Sequence, residues 1–316
     1  MRIIYLGTPD FAVPSLEALI KNNYTVAGVV TAPDKPSGRG LHLKASPVKE
    51  FALVHGIPVL QPLKLKDPAF LEDLRSLNPD IQIVVAFRML PESVWSLPPL
   101  GTWNLHASLL PQYRGAAPIN HAIINGELET GLSTFRLVHE IDKGAIALQE
   151  FLTIGPDETA GELHDRMMLA GADLLLRTIK GIRENSLQLK PQNQLNDRLL
   201  KEAPKLNPEF CRINWNLPVA NVHNHIRGLS PFPGASTTLI QSDQKFPLKI
   251  YNSRIANVNF EHVLPGSIRI EEKRHIYVSC ATGWLELLEL QLSGKKRLKI
   301  SEFLPGFRSS KSDIME

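Results

Sequence analysis

The sequence predicts an α/β protein, a doubly wound and mostly parallel sheet with crossover helices, followed by a small OB-like β-barrel domain. Three observations carry this prediction. Short apolar runs alternate with amphipathic, helix-like segments through the first half of the chain. A polar, proline-punctuated stretch falls at about 187–206, ending in Ala203-Pro-Lys-Leu-Asn-Pro208. Beyond it come five short strand-like runs, a number and spacing suited to a small barrel. At 316 residues the chain exceeds the usual size of one core, and 43% apolar residues is ordinary for a globular protein. The expected organisation is one domain over 1–186, a linker over 187–206 and a second domain over 207–316.

Taken in order, the strands are expected at 2–6, 25–31 and 81–86, more weakly at 102–106, and at 132–138. Helices are expected near 13–22, 46–55, 67–77 and 115–125. Two of these have marked starts, because Ser46-Pro47 and Asp67-Pro68 each place a capping side chain before a proline at the first helical position. Thr159-Ala-Gly-Glu162 is a capping box and opens a helix to about Asn185. After the linker, Asn214 to Gly228 reads as a capped helix ending at glycine. The barrel strands are expected near 235–240, 246–255, 266–270, 275–280 and 284–292.

Several function classes are disfavoured. The first turn, Gly7-Thr-Pro-Asp10-Phe11, lacks the second glycine of a dinucleotide-binding turn, so backbone approach to a pyrophosphate is obstructed. Cys211 and Cys280 are far apart with no CxxC spacing, which predicts packing residues and a reducing compartment. His223 and His225 are two apart on an expected helix and diverge, so no metal is expected there. The opening apolar run is too short for a signal peptide and nothing approaches 18 apolar residues, so the expectation is a cytoplasmic protein without a membrane role. The formal charge of +3 hides a split: residues 1–204 hold 20 Lys and Arg against 22 Asp and Glu, and residues 205–316 hold 15 against 10. A basic second domain suggests a polyanionic partner.

The chemistry concentrates after the strand at 102–106. Asn104 and His106, two apart on an extended chain, leave the same face and can converge on one small group. An amide donor beside a tunable base suits acyl transfer, where one stabilises an oxyanion while the other manages a proton. The run Asn104-Leu-His106-Ala-Ser-Leu-Leu-Pro-Gln-Tyr-Arg-Gly115, followed by Glu140-Ile-Asp142-Lys-Gly144, resembles the folate-dependent formyltransferases. The resemblance implies a Rossmann-like formyltransferase fold over about residues 1–185, a catalytic trio of Asn104, His106 and Asp142, and 10-formyltetrahydrofolate as co-substrate, with no metal. It also implies a pterin pocket lined by Phe87, Arg88, Met89 and Leu90, by Ser108, Leu109, Leu110 and Pro111, and by Glu140 and Ile141.

The likeness narrows further. The opening Gly7 to Phe11, the segment Pro33-Asp-Lys-Pro-Ser-Gly-Arg-Gly40 and Arg227-Gly-Leu-Ser-Pro-Phe-Pro233 are similar to the branch of the family that formylates the methionine of initiator transfer RNA. In that branch the insertion around Pro33 to Gly40 enters the acceptor stem, which makes Lys35, Arg39 and Lys44 the expected RNA contacts near the site. Lys295, Lys296 and Arg297 are expected to touch RNA from the barrel, a solvated basic face being the alternative. The expected partners are initiator methionyl-tRNA and the folate, acting on a monomer. Two other classes stay open: a folate enzyme acting on a small amine, which needs no long basic loop, and a non-catalytic RNA-binding protein, which does not need the trio.

Overall fold

The computed structural model describes residues 1–37, 42–192, 200–261, 263–307 and 313–316. Two compact units are present, one of Met1–Gly115, Gly131–Leu152 and His164–Lys201, the other of Ala116–Thr130, Thr153–Leu163 and Glu202–Glu316. In chain order the first elements are β1 (Arg2–Gly7), α1 (Val13–Lys21), β2 (Thr25–Val30), β3 (Lys35–Ser37), β4 (His42–Lys44), α2 (Pro47–Val54), β5 (Val59–Leu60), α3 (Pro68–Ser76), β6 (Ile81–Val85) and α4 (Glu92–Trp95). They continue with β7 (Thr102–His106), β8 (Arg114–Gly115), α5 (Pro118–Ile124), β9 (Glu129–Arg136), β10 (Ile146–Thr153) and α6 (Ala160–Arg183).

The sheet of the first unit has the order β10-β9-β7-β6-β1-β2-β5. Its β1, β2, β5, β6 and β7 run parallel, while β9 lies antiparallel to β7, with Asn104 opposite Phe135 and His106 opposite Ser133. Central parallel strands are covered on both faces and so read as unbroken apolar runs. Ile3, Ile4, Tyr5 and Leu6 of β1 and Ile81, Ile83 and Val85 of β6 are accordingly fully buried. The chain leaves β1 for β2 and β5, then returns to β6 and β7, so the strand order reverses between β1 and β6. A crevice opens at the carboxyl ends of such strands.

The helix starts follow the sequence. Ser46 Oγ accepts from the Lys49 N–H at 3.1 Å and the Asp67 carboxylate from the Ala69 N–H at 3.0 Å. Thr159 Oγ1 accepts from the Glu162 N–H at 3.3 Å while the Glu162 carboxylate accepts from the Thr159 N–H at 2.8 Å, closing the capping box. Three differences have local causes. β9 begins at Glu129 and ends at Arg136, earlier than the expected 132–138. β10 escaped the apolar-run reading because Gln149 and Glu150 interrupt it. The segment 32–46, read as an open loop, contains the hairpin β3–β4, with Lys35 directly opposite Lys44; Gly38 to Leu41, Arg39 among them, lie outside the described residues.

The second unit contains α5, β11 (Glu202–Ala203), α7 (Val219–Gly228), β12 (Ala235–Gln241), β13 (Gln244–Ala256), β14 (Ile268–Glu271), β15 (His275–Cys280), β16 (Gly283–Leu292), β17 (Leu298–Lys299), α8 (Ile300–Phe303) and β18 (Ile314–Met315). Its antiparallel sheet runs β14-β15-β16-β13-β12-β18, with β17 on β16. The bridge between Ser267 and Ile314 joins the two ends into a ring. Closure needs Gly266, whose φ is +88° and where a Cβ would stand 2.2 Å from the Met315 carbonyl oxygen. Ser242 and Asp243, both at positive φ, form the two-residue turn between β12 and β13.

Trp215, Leu239, Ile250, Val278, Leu285, Leu287 and Leu290 fill the barrel interior. α7 begins at Val219 rather than Asn214, because Leu217 precedes a proline and is biased away from helical backbone. Asn214 instead caps a short turn, its Oδ1 accepting from the Asn216 N–H at 3.1 Å. Both cysteines are buried free thiols, and burial pushes Cys280 up to about 12.

Candidate active site

β7 carries Asn104 and His106 to the carboxyl edge of the sheet. The Asn104 amide is half-buried and its side chain makes no hydrogen bond to any other residue among those described. The His106 ring is 7% exposed, and its Nε2 lies 2.9 Å from the carbonyl oxygen of Tyr113. A carbonyl only accepts, so Nε2 carries a hydrogen and any second proton on this ring must sit at Nδ1. Nδ1 in turn faces Asp142 Oδ2 at 3.9 Å. Tyr113 therefore orients the imidazole, and Asp142 stands just outside hydrogen-bond range.

Asp142 lies in the loop between β9 and β10 at a φ of +54°. Its Oδ2 accepts from the Gly115 N–H at 3.1 Å. Its carbonyl accepts from Gln192 Nε2 at 2.9 Å and Arg114 Nε at 3.2 Å. The same loop passes β9 so closely that a Cβ at Gly144 would stand 1.7 Å from the Arg136 carbonyl oxygen, which only glycine permits. Sequence reasoning missed both Arg114 and Gln192. Arg114 could have been found, since it closes the Asn104 to Gly115 run; Gln192 sits in polar, linker-like sequence with no local signal.

The residues expected to line the folate pocket divide. Ser108 Oγ donates to the Gln112 carbonyl at 2.6 Å, and Ser133 Oγ donates to the Ser108 carbonyl at 2.7 Å and accepts from the Leu110 N–H at 3.0 Å. Leu110 is buried with Phe135 and Ile146, and Leu109 packs over Gly131. This segment thus spends both side chains and backbone on its own shape, the Leu110 carbonyl accepting from Gln149 Nε2 at 3.0 Å and the Leu109 carbonyl from the Gln112 N–H at 3.1 Å. Phe87 and Leu90, in the loop after β6, pack against the core, and the Arg88 guanidinium donates to the Pro62 and Leu63 carbonyls. Met89, 75% exposed, Ile141, 62% exposed, and the exposed Glu140 remain available to a ligand.

Among the expected RNA contacts, Lys35 and Lys44 are exposed, opposite one another on the hairpin, and neither forms an ion pair among the described residues. Like charges directly opposite on a ladder repel, so a phosphate between them relieves the pair. Lys295 and Lys296 are exposed in the turn after β16. Arg297 is engaged: its guanidinium pairs with Glu289 and lies 4.1 Å from the centre of the Tyr251 ring. Among the described residues no group of three or more His, Cys, Asp or Glu is placed to hold a metal ion.

A mostly parallel sheet with an unengaged amide, a buried imidazole and a carboxylate near its carboxyl edge is a constellation suited to acyl transfer, and the chain belongs to the formyltransferase family. The family model described as Formyl transferase matches residues 1–179, and that described as Formyl transferase, C-terminal domain, matches residues 205–308. The particular relatives are methionyl-tRNA formyltransferases. That of Parabacteroides distasonis is 52% identical over 313 residues, covering 98% of this chain and 96% of the relative. That of Bacteroides thetaiotaomicron is 49% identical over 315 residues, covering 98% and 97%. Among solved structures, WlaRD, a sugar 3N-formyl transferase crystallised with dTDP and 5-N-formyl-THF, superposes with a TM-score of 0.65 at 22% identity, covering 94% of this chain and 99% of that one. HypX from Aquifex aeolicus in complex with tetrahydrofolic acid gives 0.66 at 14% identity, covering 96% of this chain and 47% of the other. At these identities the likeness is one of fold.

Proposed function

We propose that this protein transfers the formyl group of 10-formyltetrahydrofolate to the α-amino group of methionyl initiator tRNA, producing formylmethionyl-tRNA for translation initiation. What supports the reading is His106 facing Asp142, with Asn104 two residues before His106 on the same strand, in a chain that is 52% identical over 98% of its length to a methionyl-tRNA formyltransferase. The folate supplies an activated formyl carbon. Asn104 Nδ2 is free to donate to the formyl oxygen as it gains negative charge under amine attack. Because Nε2 is committed to Tyr113, His106 holds its mobile proton at Nδ1, on the side of the Asp142 carboxylate. Asp142, fixed by the Gly115 N–H, faces that nitrogen and is placed to receive a proton from the amine through a bridging water; collapse of the oxyanion then breaks the bond between the formyl carbon and N10, and N10 leaves with a proton returned from the site, giving tetrahydrofolate.

Lys35, Arg39 and Lys44 hold the acceptor end in this reading, and Lys295 and Lys296 hold the RNA backbone. The protein acts as a monomer in the cytoplasm, where charged initiator tRNA is found. Incubation with 10-formyltetrahydrofolate and aminoacylated initiator tRNA, followed by mass spectrometry, is expected to show the gain of one formyl group on the methionyl ester. Formylation of an amino-sugar nucleotide with no change in the tRNA overturns the reading in favour of a small-amine substrate.

A further inference from the structure

The Asp142 carboxylate stops 3.9 Å from His106 Nδ1, so a movement of about 1 Å makes or removes the interaction. The sheet does not set this gap. Asp142 belongs to a loop, at a φ of +54° that residues other than glycine seldom adopt. Its backbone is held from outside. Gln192, 7% exposed, donates through Nε2 to the Asp142 carbonyl at 2.9 Å and to the Gly144 carbonyl at 2.6 Å. Its Oε1 accepts from Arg114 Nη2 at 2.7 Å and from Arg114 Nε at 3.2 Å.

An amide has two donor hydrogens and two acceptor lone pairs, and here all four are used. Arg114 Nε also reaches the Asp142 carbonyl at 3.2 Å, and the next N–H, of Gly115, holds Oδ2 at 3.1 Å. The segment that delivers Gln192 is itself docked, since Lys190 and Ile146 exchange two backbone hydrogen bonds of 2.8 Å. A chain segment about fifty residues downstream therefore reaches back and fixes the backbone of Asp142, while the Gly115 N–H, next to the Arg114 that Gln192 braces, holds the carboxylate.

We infer that Gln192, braced by Arg114, is a positioning residue for formyl transfer: it sets where the Asp142 carboxylate stands relative to His106 and touches none of the reacting atoms itself. The inference rests on the reading of Asp142 as catalytic, so its test is a cycle of variants that separates the two. In the full-length protein, Gln192→Leu removes all four hydrogen bonds at similar volume. It is expected to lower kcat by roughly ten- to a hundredfold, the scale of a displacement of about 1 Å in a catalytic group. The KM for each substrate is expected to change by less than about twofold.

Asp142→Asn alone is expected to lower kcat strongly, and Gln192→Leu added to it is expected to cost nothing more, because a residue that acts through another has no effect once the other is disabled. Gln192→Leu with kcat within about twofold of the parent overturns the positioning role, as does an equal fold-loss in both backgrounds, which marks a purely structural side chain. Near-normal turnover of Asp142→Asn instead sinks the catalytic reading, and the positioning role with it. Should Gln192→Leu fail to fold, Gln192→Glu keeps the shape and the acceptor for Arg114 but turns an oxygen toward two carbonyls. Its kcat relative to the parent is expected to rise as pH falls and the carboxyl gains a proton to donate. A flat ratio across pH overturns the inference.

Discussion

Asn104 and His106 leave β7 on one face, yet the structure treats them oppositely: the imidazole is committed to the Tyr113 carbonyl and the amide to nothing among the described residues. An uncommitted, half-buried donor loses little when the protein folds and gains a partner only when charge develops in front of it. Asn104→Ala is therefore expected to lower the formylation rate about a hundredfold or more while leaving the unfolding temperature within about a degree of the parent. Initial rates on charged tRNA and a thermal melt decide it; a variant with near-normal rate removes Asn104 from the mechanism. That Asn104 and His106 share one strand, and that Asp142 sits in a separate loop motif, was legible in sequence; the structure adds that Asp142 faces His106. The orientation of the ring was not, since it depends on a backbone carbonyl that carries no residue identity.

The hairpin β3–β4 puts Lys35 and Lys44 side by side, a pairing that an open-loop reading of 32–46 could not contain. Its base is anchored: Asp34 accepts from Lys49 at 2.6 Å and from Gln61 at 2.8 Å, and these bonds hold its carboxyl below the usual range. Replacing Lys35 and Lys44 together by Ala is expected to raise the KM for tRNA and to reduce the slope of log affinity against log salt by about two units, one for each lost phosphate contact. The KM for the folate is expected to stay put, because other loops approach the strand ends. An unchanged salt slope would mean that the hairpin does not touch RNA.

The barrel cluster divides in the same way. Lys295→Ala with Lys296→Ala is expected to flatten the salt dependence of RNA binding, whereas Arg297→Ala, which breaks an ion pair and a ring contact within the barrel, is expected to act on the melting temperature instead. Gel-shift titrations at several salt concentrations alongside thermal melts separate the two effects. Equal behaviour of the lysine pair and Arg297 in both assays would show that the internal contacts of Arg297 do not matter.

At the scale of the whole molecule, three histidines of the second unit govern stability in mild acid. Burial lowers His121, His223 and His225 below the ordinary value of 6.5, only partly opposed by the carbonyls and, at His223, by Asp157. Arg227 adds to the lowering at His223. In each case the unfolded chain takes up a proton first as pH falls, so stability is full above about 6.5 and declines below it. Carboxylates act lower down. Burial by itself raises Glu286, but hydrogen bonds from His275 and Arg254 win and hold it below its ordinary 4.5, so its contribution is lost only as pH drops past that value. Urea unfolding midpoints are expected to be flat from pH 8 to 7 and to fall between pH 6.5 and 5, with a shallower fall in His223→Asn. A midpoint indifferent to pH over that window would contradict the assignment.

Sequence alone determined the features that short-range rules write. Apolar runs gave β1, β2, β6 and, more weakly, β7, because a strand buried on both faces is mostly apolar, whereas the two residues of β5 are too few to make a run. Ser46, Asp67 and Thr159 gave helix starts because a cap bonds only two or three residues ahead. The motif of Asn104, His106 and Asp142 gave the family. Only the tertiary structure decided what depends on residues distant in the chain. The ring of the barrel closes through Ser267 and Ile314, and the Asp142 loop is held by Gln192, some fifty positions away in a stretch that reads as linker. Local sequence has no term for a contact whose two halves meet only after the chain has folded, because what selects Gln192 is the pair of carbonyls, of Asp142 and Gly144, that the finished fold brings together.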